Sequence, residues 1–281
     1  MKFVMRNKIR MNNNLRQKLV NTLRSPIDAF RSQGAVLETQ HGPLIFQDNG
    51  ANILAVAHLD TVHVTGAAKP RIKKNKAYGP QLDDRLGVWT LLHLLPTLGA
   101  PKYDILLCDS EEIGQSTAQY FETNKDYNWI FEFDRAGTDV VLYDYEDENT
   151  VTLLQNEGFK VGVGAFTDIC ELEHLGCKAF NFGVGYHKQH TAQCHADLND
   201  TIQMASKFCE FAHAYKDIHL EHTPSPHTKT VWEYDDGIDI CNDCHTVLDW
   251  QWIFCPQCGQ ITQYGMQSRS HGEYPYKLYD V

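Results

Sequence analysis

The sequence predicts an α/β fold: three αβα layers around a mixed, mostly parallel central sheet, with a small cysteine module at the C-terminal end. Three observations predict it. Four apolar runs, ANILAVA (51–57), YDILLCD (103–109), NWIFEFD (128–134) and KAFNFGVG (178–185), alternate with helical segments, as strands buried on both faces do. Histidines and acidic residues recur just past the C-terminal ends of these runs, the edge where open α/β sheets form sites. Two CxxC pairs stand near the end of the chain.

The elements follow in order. Residues 12–24 carry Leu15, Leu19 and Leu23 at helical spacing. PLIF, the turn-like QDNG and ANILAVA read as a hairpin or strand pair, and residues 71–78 as a second hairpin around Lys74–Lys76. Asp84–Leu95 reads as a helix stopped by Pro96. Shorter helices are expected over Ser116–Thr123, near 149–157 and over Asp168–Leu175. Asn199 or Asp200 is expected to cap a closing helix that runs through His213.

At 281 residues the chain suits one large domain, or a medium domain plus a small module. The boundaries read as 1–215 for the main domain, 216–236 for a polar linker rich in Pro and His, and 237–281 for the cysteine module and tail. A net charge of −11 argues against charge-driven binding to nucleic acid or anionic membranes. No apolar run reaches membrane-spanning length, and the basic N-terminal stretch lacks the apolar core of a secretory signal. A cytoplasmic protein is expected, with Cys108, Cys170, Cys177, Cys194 and Cys209 as buried reduced thiols.

Five short motifs carry the chemistry: AHLDT, QLDDRLG, SEEIG, EFDRAG and YHKQHT. They line up His58 and Asp60, Asp83 and Asp84, Glu111 and Glu112, Asp134, and His190. Together they offer two imidazoles, three carboxylate ligands and a spare carboxylate for proton transfer, the inventory of a two-metal hydrolase. His187 and His195 lie near His190, and His187 is the reserve candidate. His41, His63, His93, His174 and His213 read as ordinary surface or core residues.

In this order the motifs resemble the co-catalytic dizinc exopeptidases, over roughly residues 40–215. The resemblance implies two zinc ions in the catalytic site. His58 and Asp134 would serve one, Glu112 and His190 the other, and Asp83 would bridge them across a cis Asp83–Asp84 peptide. Asp60 would orient His58 through its second ring nitrogen. Glu111 would be the general base that deprotonates a metal-bridging hydroxide's parent water and then protonates the leaving amine. Lidded members insert a second domain after the aspartate ligand. Residues 135–189 are taken up by core elements here, so a lidless, aminopeptidase-like architecture is implied. The acidic run 143–149 reads as a solvated loop, or alternatively as the source of a carboxylate for a substrate α-amine. Asp168 stands where relatives place a residue near the substrate, and it reads alternatively as a helix cap.

Cys241, Cys244, Cys255 and Cys258 form two CxxC pairs separated by residues 245–254. Four thiolates at this spacing predict a zinc ribbon closed around one structural zinc. Trp250 and Trp252, between the pairs, read as its small core or as contact residues for a protein partner. The module has few basic residues, which disfavours nucleic acid. The expected function is therefore hydrolysis of an amide bond in a peptide or related substrate. The alternatives are an amidase or deacylase acting on a non-peptide amide, and a non-catalytic peptidase-fold scaffold whose ribbon binds a protein or nucleic-acid partner.

Overall fold

The computed structural model describes residues 11–164 and 166–224. The cysteines expected to form the ribbon, Trp250 and Trp252 lie outside the described residues.

The chain opens with α1 (Asn13–Arg24), capped by Asn12, whose side chain accepts the Leu15 amide at 2.8 Å. A hairpin follows, β1 (Ala35–Thr39) and β2 (Gly42–Gln47), then β3 (Ile53–His58) and the small hairpin β4 (Arg71–Lys73) and β5 (Lys76–Tyr78). Next come α2 (Leu82–Trp89), a π-helical turn, α3 (Leu95–Leu98), β6 (Asp104–Cys108), β7 (Trp129–Arg135) and β8 (Val140–Val141). The domain ends with α4 (Glu148–Asn156), β9 (Ala179–Gly183), β10 (Tyr186–His187), β11 (His195–Asp197) and α5 (Leu198–Tyr215).

Seven strands form the main sheet in the order β1-β2-β6-β3-β7-β9-β8. β6, β3, β7 and β9 are parallel, and β1, β2 and β8 are antiparallel edges. The mixed, mostly parallel sheet is thus as expected. Every residue of β3 is buried. Ile53, Ala55 and Ala57 face one apolar cluster with α1, α2 and α5, and Leu54 and Val56 face another. On that second face the cover is short 3-10 segments, Thr117–Tyr120 and Asp168–Leu175. On the first, Trp129 and Phe131 of β7 pack against Phe208 of α5 with ring centroids 6.0 and 4.4 Å away. Each such buried aromatic contributes about 1.5–3 kcal/mol. A separate four-stranded sheet, β10-β11-β5-β4, ties the loop carrying His190 to the segment before α2.

Some local expectations are corrected. β2 does not pair with β3: β6 lies between them, and β2 makes its hairpin with β1. The cause is Asp104 at the start of β6, whose Oδ1 accepts the amides of Asn49 and Ala51 at 2.7 and 3.1 Å. The QDNG segment wraps that carboxylate instead of reversing. Pro96 does not stop its helix, because it sits in the first turn of α3, where no amide is required, and the helix ends at Gly99 with φ 77°. The closing helix is capped by Asp197, which accepts the Asn199 amide at 2.9 Å, because β11 ends there. The segment Ser116–Thr123 is reduced to a 3-10 turn over Thr117–Tyr120.

All five scattered cysteines are free thiols, and only Cys170 is not fully buried. After α5 the chain stays on the sheet as far as His222: Leu220 exchanges hydrogen bonds with Asn128 and Lys178, and the buried His222 ring lies 3.0 Å from Glu173. No described helix is long and apolar enough to cross a membrane.

Candidate metal centre

The candidate side chains are delivered by strand ends, by the turns and loops after them and, for Asp83, by the head of α2. β3 ends on His58, which is completely buried. The Asp83–Asp84 peptide at the head of α2 is cis. Asp83 has extended backbone angles (φ −89°, ψ 110°), so its carboxylate leaves the helix axis. The glycine of DDRLG has a local reason: the Gly87 amide donates to Asp84 Oδ1 at 3.0 Å, and a Cβ there would lie 2.3 Å from that oxygen. After β6, Ser110 takes a left-handed turn (φ 62°) and presents Glu111 and Glu112. His190 also adopts positive φ, 57°, in the loop between β10 and β11.

These pieces converge. His58 Nε2 lies 3.4 Å from Asp83 Oδ1, 3.7 Å from Asp134 Oδ2 and 3.8 Å from Glu111 Oε2. His190 Nε2 lies 3.1 Å from Asp83 Oδ2 and 2.8 Å from Glu112 Oε2. Two possible ligand sets result, His58–Asp83–Asp134 and Asp83–Glu112–His190, and within each the donor atoms lie within 4.8 Å of one another. Asp83 belongs to both and presents one oxygen to each histidine. The reserve candidate His187 is exposed on β10, its ring beside that of His195.

The residues fit divalent metal. His58 Nδ1 donates to the Asp60 carbonyl oxygen at 3.1 Å and lies 3.3 Å from Asp60 Oδ1. With Nδ1 protonated, the lone pair sits on Nε2. That atom is buried and, among the described residues, has no hydrogen-bond partner; nor has Glu112 Oε1. Imidazole nitrogen and carboxylate oxygen are the zinc donors of hydrolytic sites.

The electrostatics agree, since without a cation the cluster holds more acid than it can ionise. Burial pushes Glu111 well above the ordinary carboxylate range, with Asp134, Asp168 and Glu112 adding repulsion. Burial, helped by Asp83, lifts Asp134 to about 6. Burial opposes protonation of His190, but Asp83 and Glu112 outweigh it and raise the imidazole to about 10. For His58 burial is again outweighed, by Asp134, Asp60 and Asp83. Asp83 moves below its usual range because the two histidines outweigh its burial.

No protein-family model matches the sequence, and no curated protein matches it. Solved structures do. A tripeptidase from Staphylococcus aureus superimposes with a TM-score of 0.52 at 12% identity, over 72% of this chain and 98% of that one. A TET aminopeptidase from a marine sediment archaeon, Thaumarchaeota archaeon, gives 0.51 at 11% identity, over 74% and 98%. The fold is the one these peptidases share.

On that fold, the groups holding the candidate ligands were missed by motif reading. Tyr186 donates its hydroxyl to Asp134 Oδ1 at 2.8 Å. Thr167 donates to the buried Glu132 at 2.6 Å and lies 3.2 Å from Asp134 Oδ2. The Asn181 side-chain amide donates to the Asp134 carbonyl at 3.1 Å, and its Oδ1 accepts the Asp134 backbone N–H at 3.0 Å. The FTD motif was a usable signal, but Thr167 rather than Asp168 touches a candidate ligand. Asp168 is buried and accepts a hydrogen bond from Ser116; it neither caps its helix nor lines the cavity over the metal groups. Burial lifts its carboxyl to about 7. The acidic run 143–149 does not reach the cavity beyond Tyr143. Asp147 caps α4 and pairs with Lys178.

Proposed function

We propose that this chain is a metal-dependent hydrolase of amide bonds, of the aminopeptidase-like exopeptidase type. The observation that carries it is the sharing of Asp83: its two oxygens face His58 and His190, and each histidine has a further carboxylate of its own, Asp134 or Glu112. In this reading His58 and Asp134 hold one zinc, Glu112 and His190 the other, and Asp83 stands between them. Two zinc ions there would acidify a water and polarise the carbonyl of the amide.

The protein's own part follows from its geometry. Glu111 belongs to neither ligand set, yet it lines the same cavity as Asp83 and Asp134. Its Oε2 takes the proton from the attacking water and hands it to the leaving amine. Asp60 keeps the His58 ring in one tautomer. Cys241, Cys244, Cys255 and Cys258 hold a third, structural zinc in this reading.

Metal content after zinc loading tests the site. Wild type should retain about three zinc ions per chain and Asp83→Ala about one. A single zinc in both would leave only the cysteines as ligands and end the hydrolase reading. Glu111→Gln should keep its metal and lose turnover by about 10²–10⁴-fold; a variant as active as wild type would remove Glu111 from the role.

A further inference from the structure

The cavity over the metal groups contains a cation that the proposed chemistry does not use. Arg135 lines it together with Asp83, Glu111, Asp134, Tyr143 and Phe166. Among the described residues it is the one Lys or Arg side chain lining that cavity. Asp134 and Arg135 are neighbours on β7, and on a regular strand their side chains would point to opposite faces. A bulge prevents this. Glu132 pairs with Asn181 and Arg135 with Gly183, so Phe133 and Asp134 together oppose only Phe182. A bulge of this kind re-aims a side chain, and here both residues reach one cavity.

The arginine is held in place. Its Nη2 donates to Asp139 Oδ2 at 3.4 Å, and its Nε lies 3.3 Å from Asp139 Oδ1. Two glycines make room for that partner. A Cβ at Gly162 would lie 2.0 Å from Asp139 Oδ2, and one at Gly183 would lie 2.5 Å from the Gly137 carbonyl oxygen in the turn leading to Asp139. Asp139 does not saturate the guanidinium. Nε is buried without a hydrogen-bond partner among the described residues, and only one of the five N–H groups makes a hydrogen bond there.

The guanidinium keeps N–H groups free beyond its pair with Asp139, so it can donate to an anionic group of a molecule in the cavity. The cavity measures about 150 Å³, below the roughly 300–1,000 Å³ that encloses a drug-sized ligand. Its wall includes the Phe166 ring, itself 37% exposed.

We propose that Arg135 binds the free carboxylate of the substrate, so that the site takes short acylated or aminoacylated amino acids rather than the interior of a long chain. This rests on the amide-hydrolase reading of the site. Arg135 pairs bidentately with the carboxylate, and Phe166 flanks the adjoining apolar side chain.

The test is calorimetric binding of N-acetyl-leucine and N-acetyl-leucinamide to the zinc-loaded full chain, with zinc content measured alongside. Wild type should bind the acid about 10–100-fold more tightly than the amide. Arg135→Gln should lower that ratio about tenfold with zinc content unchanged, and Arg135→Lys should retain part of it. Equal binding of acid and amide by wild type, or an undiminished ratio in Arg135→Gln, would overturn the proposal. If Arg135→Gln fails to fold, the wild-type ratio and Arg135→Lys decide. Turnover is scored separately on the acid and on dipeptides. Its absence in zinc-loaded wild type counts against the hydrolase reading, while the binding ratio still judges Arg135.

Discussion

The Asp60 carboxylate accepts the backbone N–H of Glu112 at 3.0 Å. Its other oxygen takes the Glu111 amide at 3.2 Å and lies 3.3 Å from His58 Nδ1. One side chain therefore couples the end of β3 to the turn after β6 and sets the His58 ring against Glu111 and Glu112. Asp60→Ala should free both the ring and the turn. The expected result is about 10–100-fold weaker zinc binding, read by competition with a graded chelator, together with lower turnover. Wild-type metal affinity in this variant would reduce Asp60 to a loop residue.

Tyr186 stands to Asp134 as Asp60 does to His58. Its hydroxyl is the donor that orients the Asp134 carboxylate from the far side of the cavity. In Tyr186→Phe the ring still fills its buried place, so the fold should hold while the carboxylate loses a hydrogen bond worth about 1.5–3 kcal/mol. If the proposed site holds two zinc ions, stepwise chelation should show one released earlier and the other little changed. Equal loosening of both would mean that Tyr186 acts on Asp83, which its hydroxyl also approaches at 3.4 Å.

How much of this the sequence discloses depends on how local each feature is. His58, Glu112 and Asp134 are legible because each lies in a short motif at or just after the end of a parallel strand, and Asp83 and His190, on the head of α2 and in the β10–β11 loop, because each lies in a short motif of its own. Strand pairing is less legible. The insertion of β6 between β2 and β3 depends on Asp104 capturing amides more than fifty positions earlier in the chain. The bulge that turns Arg135 toward Asp134 exists only relative to β9. Tyr186 and Thr167 belong to no metal-ligand pattern, and their importance appears only once Asp134 is beside them.

The Asp104 carboxylate is a structural counterpart to the candidate metal ligands. It is wholly buried and accepts from the Asn49 and Ala51 amides, from Tyr127 Oη at 2.9 Å and from Lys125. Every partner is a donor, so Asp104→Asn turns its amide nitrogen toward other donors. Breaking a buried charge network of this kind costs about 3–5 kcal/mol, and chemical denaturation should show a lower midpoint with zinc affinity unaltered. A loss under about 1 kcal/mol would mean that the QDNG turn holds without its carboxylate.

Asp147 offers a pH-dependent test remote from the candidate metal ligands. Its Oδ1 caps α4 through the Thr150 amide at 2.7 Å, and its other oxygen pairs with Lys178. Burial works against the anion, but Lys178 and Thr150 together outweigh it and lower its carboxyl from 3.8 to about 2. A carboxylate with a depressed folded-state value stabilises the fold at pH above its unfolded value and loses that contribution as pH falls through the folded one. The window is therefore about pH 4 down to pH 2. Asn caps a helix as well as Asp does, so Asp147→Asn removes the charge and keeps the cap. Because the side chain is 44% exposed, solvent screening limits the loss to about 1 kcal/mol, or a Tm roughly 2–4 °C lower at neutral pH. The difference between wild type and variant should shrink on acidification and vanish below about pH 2. A gap that stays constant across that range would assign the effect to the helix cap and leave the Lys178 pair without a share in stability.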